Sequence, residues 1–249
     1  MKYGYYSDNE IPESIANSEN YKKLYKLNSK GYRCQEFSPL PNGGKNVVVL
    51  GCSHTFGEGL NENEVWVSQL EKIKNNNIYQ SSTKLRFWNL AHPGASPDLC
   101  VRILYGTEKV LFPKIIIVCW PVWSRRERLD KYPQSLTSDD ILLKNENEQT
   151  DCNNFLKCVF QIEKFAEHTH AKVFHCFSQD IYDIPNTTNV FKETSIKSCW
   201  PEWDRRKHFQ NLIKITTEPN LARDGIHYGT KHHASFAKKF YNKFGTKLK

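Results

Sequence analysis

Three side chains have the types that acyl transfer by a nucleophile needs: a serine at position 53, an aspartate at 224 and a histidine at 227. Ser53 lies in Gly51-Cys52-Ser53-His54-Thr55-Phe56-Gly57, directly after the apolar run Val47-Val48-Val49-Leu50. Such a run reads as a fully buried parallel strand. A serine where that strand ends sits at the edge of an α/β sheet where ligands bind. Asp224-Gly225-Ile226-His227 sets a carboxylate and an imidazole three residues apart, just before a stretch that reads as a helix. A hydroxyl is a weak nucleophile until a base takes its proton, and the imidazole needs a carboxylate to orient it and stabilise its charged form. Ser53 as nucleophile, His227 as base and Asp224 as orienting acid predict a serine hydrolase. A plainer reading makes Ser53 a helix cap and Asp224-Gly225 a turn. The strand before the serine and the helix after the histidine favour the chemical one.

These blocks resemble those of the SGNH/GDSL hydrolase family. Gly51, Ser53, Thr55 and Gly57 fill its first block, with Cys52 where many members have aspartate. Gly94, in Asn89-Leu90-Ala91-His92-Pro93-Gly94-Ala95-Ser96, matches the glycine of the second block, and Asp224 with His227 match the last. Asn28-Ser29-Lys30-Gly31-Tyr32-Arg33 is similar to a lead-in found in some bacterial and phage-borne members. The resemblance runs from Lys45 to Phe244, and more weakly over the lead-in. It implies a three-layer α/β/α sandwich with a flavodoxin-like parallel sheet in the strand order 2-1-3-4-5. It also implies Ser53, Asp224 and His227 as the catalytic residues, and an oxyanion hole from the backbone N–H groups of Ser53 and Gly94.

One block departs from the family. Many members carry an asparagine after the third central strand, whose side chain donates to the oxyanion. Here Ile115-Ile116-Ile117-Val118-Cys119 runs into Trp120-Pro121-Val122-Trp123-Ser124-Arg125-Arg126 without one. Losing one such donor costs about 10²–10³ in turnover. The substrate class that the resemblance implies is an O-acyl ester, an acetylated carbohydrate being one example. The same triad would serve an acyltransferase, and the missing asparagine leaves open a non-catalytic binding or virion structural module.

The elements that must position these residues are legible in outline. Residues 1–44 are polar, end in Pro39-Leu40-Pro41-Asn42-Gly43-Gly44, and read as an N-terminal extension to a hydrolase-like domain at 45–249. Gly43-Gly44-Lys45 lacks the spacing of a phosphate loop. Val65 to Ile73 reads as a helix and Leu85 to Leu90 as the second strand. Ser96-Pro97-Asp98 is a helix start, with serine as cap, proline in the first turn and aspartate favourable to the dipole; the helix should reach Leu111. After the strand at 115–119, residues 153–168 carry an amphipathic stripe, and Lys172 to Phe177 reads as another strand. The last helix should begin near Thr230, bury Phe236, Ala237, Phe240, Tyr241 and Phe244, and stop at Gly245.

Cys-Trp-Pro-x-Trp-x-Arg-Arg occurs twice, at 119–126 and 199–206. At the rim of a site, Trp120, Trp123, Trp200 and Trp203 would stack on a sugar or an aromatic acyl group. Arg125, Arg126, Arg205 and Arg206 would hold a carboxylate or phosphate. Trp120, Trp123, Arg126 and Trp203 are therefore the substrate-binding candidates. The competing reading packs the tryptophans into the core and pairs the arginines with acids.

Composition narrows the classes. A chain of 249 residues, 39% hydrophobic and with 32 aromatics, buries a sizeable core as one domain. Eight cysteines without a C-x-x-C pair suit a reduced environment. The start has no apolar core of signal-peptide length, and no stretch matches a membrane span. A cytoplasmic or virion-associated protein is expected. Of the net charge of +8, the segment from Arg205 onward holds eleven Lys and Arg against two acids. This reads as a solvated helix face and tail, since no nucleic-acid module is visible. His168, His170, His175, His232 and His233 match no zinc spacing, so neither metal nor cofactor is expected. The expected partner is a small-molecule or glycan ester; oligomeric state is not legible.

Overall fold

The apolar run around Val48 forms β1, Lys45–Gly51, an inner strand with β2 (Leu85–Asn89) on one side and β3 (Ile115–Trp120) on the other. A computed structural model of the chain describes residues 25–38, 44–76, 84–128, 134–136, 148–177 and 220–248. Within it a short hairpin, β4 (Arg126–Arg128) with β5 (Gln134–Leu136), follows β3, and β6 (Lys172–Phe177) pairs with β3. All pairs in the main sheet are parallel, in the order β2-β1-β3-β6. This is the 2-1-3-4 part of the expected order; among the described residues no fifth strand joins the sheet.

Because side chains alternate across a strand, the sheet has two apolar faces. Val48, Leu50, Ile116, Val118 and Trp120 join one cluster with α3 (Pro97–Leu111) and α4 (Glu148–Thr169). Val47, Val49, Ile115, Ile117 and Cys119 join the other with α2 (Trp66–Asn76) and α5 (Thr230–Phe244). Helices on both faces of a parallel sheet make the expected three-layer α/β/α sandwich. The four-residue helix α1, Ser53–Phe56, follows β1 directly.

Local signals set the helix ends. Ser96 caps α3, its Oγ accepting from the Leu99 N–H at 3.2 Å, with Pro97 at the first position. α5 ends at Phe244 with Gly245 as its C-cap, as expected, but Gly245 is at φ −55° and not left-handed, and the chain tightens into a 3₁₀ turn over Gly245–Lys247. The lead-in is built into the domain. Tyr32 is buried in the cluster that holds Trp88, and Phe37 meets Trp88 edge-on with centroids 5.4 Å apart. The seven described cysteines are free thiols. Among the described residues, no helix is long and apolar enough to cross a membrane.

Candidate active site

Ser53 is the first residue of α1, at the C-terminal end of β1, with 9% of its surface exposed. Gly51 precedes it because a Cβ there would lie 2.5 Å from Thr55 Oγ1 and 2.8 Å from the Cys119 carbonyl. The chain turns back at once: the Ser53 carbonyl accepts from Gly57 N–H at 2.7 Å and from Glu58 N–H at 3.1 Å. Gly57 and Gly59, on either side of Glu58, have φ of 84° and 74°, a region that side-chain-bearing residues rarely adopt. Gly59 has a second reason to lack a side chain, since a Cβ would come within 2.6 Å of Ala222 Cβ.

The lead-in holds this turn from behind. The Arg33 guanidinium, 2% exposed, donates to the carbonyls of Phe56 at 3.0 Å and Gly57 at 2.6 Å, and also to that of Leu60. Tyr25 Oη accepts from Gly59 N–H at 2.6 Å, and its ring lies 4.5 Å from the Arg33 guanidinium carbon. A cation on the carbonyls that end α1 also suits the negative end of a helix. From the other side, Asn89 at the end of β2 donates to the Thr55 carbonyl at 2.9 Å.

Asp224 and His227 arrive on the loop before α5. Asp224 Oδ1 accepts from the N–H groups of Ile226 and His227, each at 3.0 Å, while Oδ2 lies 2.7 Å from His227 Nδ1. One carboxylate thus folds the turn and orients the ring. Burial pushes the Asp224 carboxyl up, but these three hydrogen bonds outweigh it and leave it below its ordinary value. The loop is fastened to the serine's turn by Arg223, whose N–H donates to the Gly59 carbonyl at 3.1 Å and whose guanidinium grips Glu64 at 2.6 and 2.9 Å. His54, next to Ser53, packs its ring 5.2 Å from that of His227 and 4.7 Å from Tyr228. Burial first, then the charges of His227 and Arg125, hold His54 down at about 4 against the pull of Asp224, so it stays neutral at neutral pH.

His227 Nε2, the nitrogen that would take the serine's proton, lies 3.1 Å from Glu58 Oε2. Among the described residues no hydrogen bond joins it to Ser53 Oγ. The backbone N–H groups of Ser53 and Gly94 donate to no backbone carbonyl among the described residues. Gly94, at φ 70°, is exposed in the loop after β2, with open space where a Cβ would stand. Glu58, Arg33, Tyr25 and Asn89 were not singled out from sequence. The available signals were a glutamate between two glycines and an arginine ending a recognisable lead-in.

In the first Trp-Pro-x-Trp loop, Trp120 takes the core-packing alternative and not that of an exposed platform. Trp120 is 1% exposed; its Nε1–H donates to His175 Nδ1 at 2.9 Å, and the two rings stack at 5.8 Å. Its N–H and one ring face are therefore committed to the core. Trp123, 9% exposed, packs in the same cluster. Arg126 Nε bonds Asp151 of α4 at 3.0 Å, so this guanidinium ties the loop to a helix. Trp203, with Trp200, Arg205 and Arg206, lies outside the described residues. Among the described residues, no group of three or more His, Cys, Asp or Glu could hold a metal ion.

No protein-family model matches the chain, and no curated protein does. Solved structures are similar in fold. The chain superposes on the crystal structure of TesA with a TM-score of 0.51 at 13% identity, over 80% of this chain and 98% of that one. It superposes on the psychrotrophic esterase EstA from Pseudoalteromonas sp., solved as inhibited by monoethylphosphonate, with a TM-score of 0.52 at 14% identity, over 82% of this chain and 98% of that one. At these identities the likeness is one of fold.

Proposed function

We propose that the protein is a serine esterase that cleaves an O-acyl ester, with Ser53 as nucleophile, His227 as general base and acid, and Asp224 as the orienting carboxylate. The observation that carries this reading is the 2.7 Å contact between Asp224 Oδ2 and His227 Nδ1, on a loop fastened to the serine's own turn. It leaves Nε2 on the side of the ring away from Asp224, toward that turn. Ser53 Oγ attacks the ester carbonyl as Nε2 takes its proton. The tetrahedral intermediate carries its negative charge toward the N–H groups of Ser53 and Gly94. It collapses with the proton passing from Nε2 to the leaving alcohol, and water then repeats the sequence on the acyl-enzyme.

With two backbone donors and no side-chain amide, turnover should fall about 10²–10³ below a site with three donors. Acetyl esters of carbohydrates fit the class. EstA, which shares the fold, takes monoethylphosphonate as an inhibitor, and that chemistry supplies the test. A fluorophosphonate should attach covalently to Ser53, located by mass spectrometry of the digested protein, and should abolish cleavage of p-nitrophenyl acetate. Loss of activity with the label on another residue, or no label on a folded protein, would remove the assignment.

A further inference from the structure

The proposed triad does not account for Glu58. Its Oε2 is 3.1 Å from His227 Nε2, while Nδ1 of the same ring is committed to Asp224 at 2.7 Å. A contact between a ring nitrogen and a carboxyl oxygen at that distance needs one proton between them. Either the ring is an imidazolium donating to a carboxylate, or Glu58 is the acid and donates to the ring. In both arrangements the Nε2 lone pair is taken and cannot accept the proton of Ser53.

The backbone beneath this contact is held at every step. Glu58 N–H donates to the Ser53 carbonyl, Arg33 holds the carbonyls of Gly57 and Leu60, and Tyr25 holds the N–H of Gly59. These bonds anchor the backbone that carries both Ser53 and Glu58, so the block is lifted by rotation of the Glu58 side chain and not by movement of the turn. That side chain is 12% exposed. A carboxyl group so largely covered keeps its partner until another donor is in place to replace it. The leaving alcohol is the part of the substrate that must approach Nε2, because Nε2 returns the proton to its oxygen. A hydroxyl beside the ester oxygen would present a donor at that place.

Resting on the hydrolase reading above, we infer that Glu58 accepts a hydrogen bond from a hydroxyl of the leaving alcohol and, by turning to it, frees His227 for Ser53. The preferred substrates are then acyl esters of polyhydroxylated alcohols. Esters without a neighbouring hydroxyl meet a base that is still occupied. Glu58 gates the reaction and selects the substrate, and takes part in no covalent step.

The test compares two esters with one acyl group, glycerol 1-monoacetate and ethyl acetate, by acid release. Wild-type protein should prefer the glycerol ester by at least about tenfold in kcat/KM, as sites built to bond a hydroxyl do. Glu58→Ala should change the two in opposite directions, faster on ethyl acetate and slower on the glycerol ester. Its Ser53 should also react faster with a fluorophosphonate, which carries no hydroxyl. Near-isosteric Glu58→Gln should show the same crossing at smaller size, and is the variant to read if Glu58→Ala lowers the melting temperature. A common factor on both esters, or a preference that survives both substitutions, would overturn the gate while leaving the hydrolase standing. Neither ester cleaved and no label on Ser53, in wild type and variants alike, would overturn both.

Discussion

The turn after β1 and the loop after β3 leave adjacent strands of one sheet, at the register partners Gly51 and Cys119, and they treat their polar atoms differently. After β3 the polar atoms close on one another. Trp120 donates to His175, whose other nitrogen meets Glu163 at 2.8 Å; Arg126 meets Asp151, and Glu127 pairs with Arg102. After β1 the backbone is equally well held, but the polar groups of Ser53 and Gly94 are not closed on protein partners among the described residues. Ser53 Oγ has no hydrogen bond among the described residues, the N–H groups of Ser53 and Gly94 meet no backbone carbonyl there, and His227 meets Glu58. A closed polar network stabilises one arrangement. Groups that stay open on a rigid frame are what a ligand can complete. Both regions carry tryptophan, arginine or histidine, so residue type alone does not separate them.

The comparison breaks most readily at Ser53. Ser53→Ala should lower kcat/KM for p-nitrophenyl acetate by about 10⁴ or more, with a melting temperature within about 4 °C of wild type. Asp224→Asn should lose about 10²–10⁴ in the same assay, since the ring would be held in the wrong tautomer. Full activity in either folded variant would place the chemistry elsewhere.

Trp120→Ala tests the other region, and its effect belongs to stability. Emptying a fully buried indole site should cost about 3–5 kcal/mol in denaturant unfolding, with KM per folded molecule unchanged. A raised KM for a glycan ester, with stability intact, would return Trp120 to the substrate.

Smaller effects should follow pH. His54 and His92 are held at about 4 and His233 at about 3, in each case by burial first. Their unfolded forms bind a proton near the ordinary value of about 6.5, so between that pH and about 4 the unfolded chain holds more protons. The folded state should therefore be lost as the pH falls through that window, with a slope of at most about 1.4 kcal/mol per pH unit for each histidine. Urea midpoints at pH 7, 6 and 5 measure it; midpoints that rise toward pH 5 would mean that these rings are not buried neutral.

The finest test sets two neighbouring arginines side by side. Arg126→Ala should cost about 1 kcal/mol, because it breaks the partly buried pair with Asp151. Arg125 forms no ion pair among the described residues, and Arg125→Ala should stay within about 0.5 kcal/mol. Equal losses would mean that the loop after β3 does not distinguish them.

What the sequence determined by itself was whatever is local or periodic. The apolar runs of β1 and β3, the Ser96-Pro97 start of α3 and the stripe of α5 follow from side-chain alternation and from unsatisfied helix ends, and a short window contains both. Asp224 and His227 could be paired on the page because three residues separate them, and their hydrogen bond closes within one turn. Tertiary structure decided the rest. Glu58 reaches His227, Arg33 reaches the carbonyls that end α1, and His233 Nδ1 accepts from the N–H of Trp66 at 3.1 Å, all across separations that leave no periodic trace. Trp120 shows the reverse. Its motif suggested an exposed platform, but it lies on a strand between two others with a helix layer above it. Side-chain direction there is set by which face of the sheet the residue occupies, and that is known only once the neighbouring strands are in register.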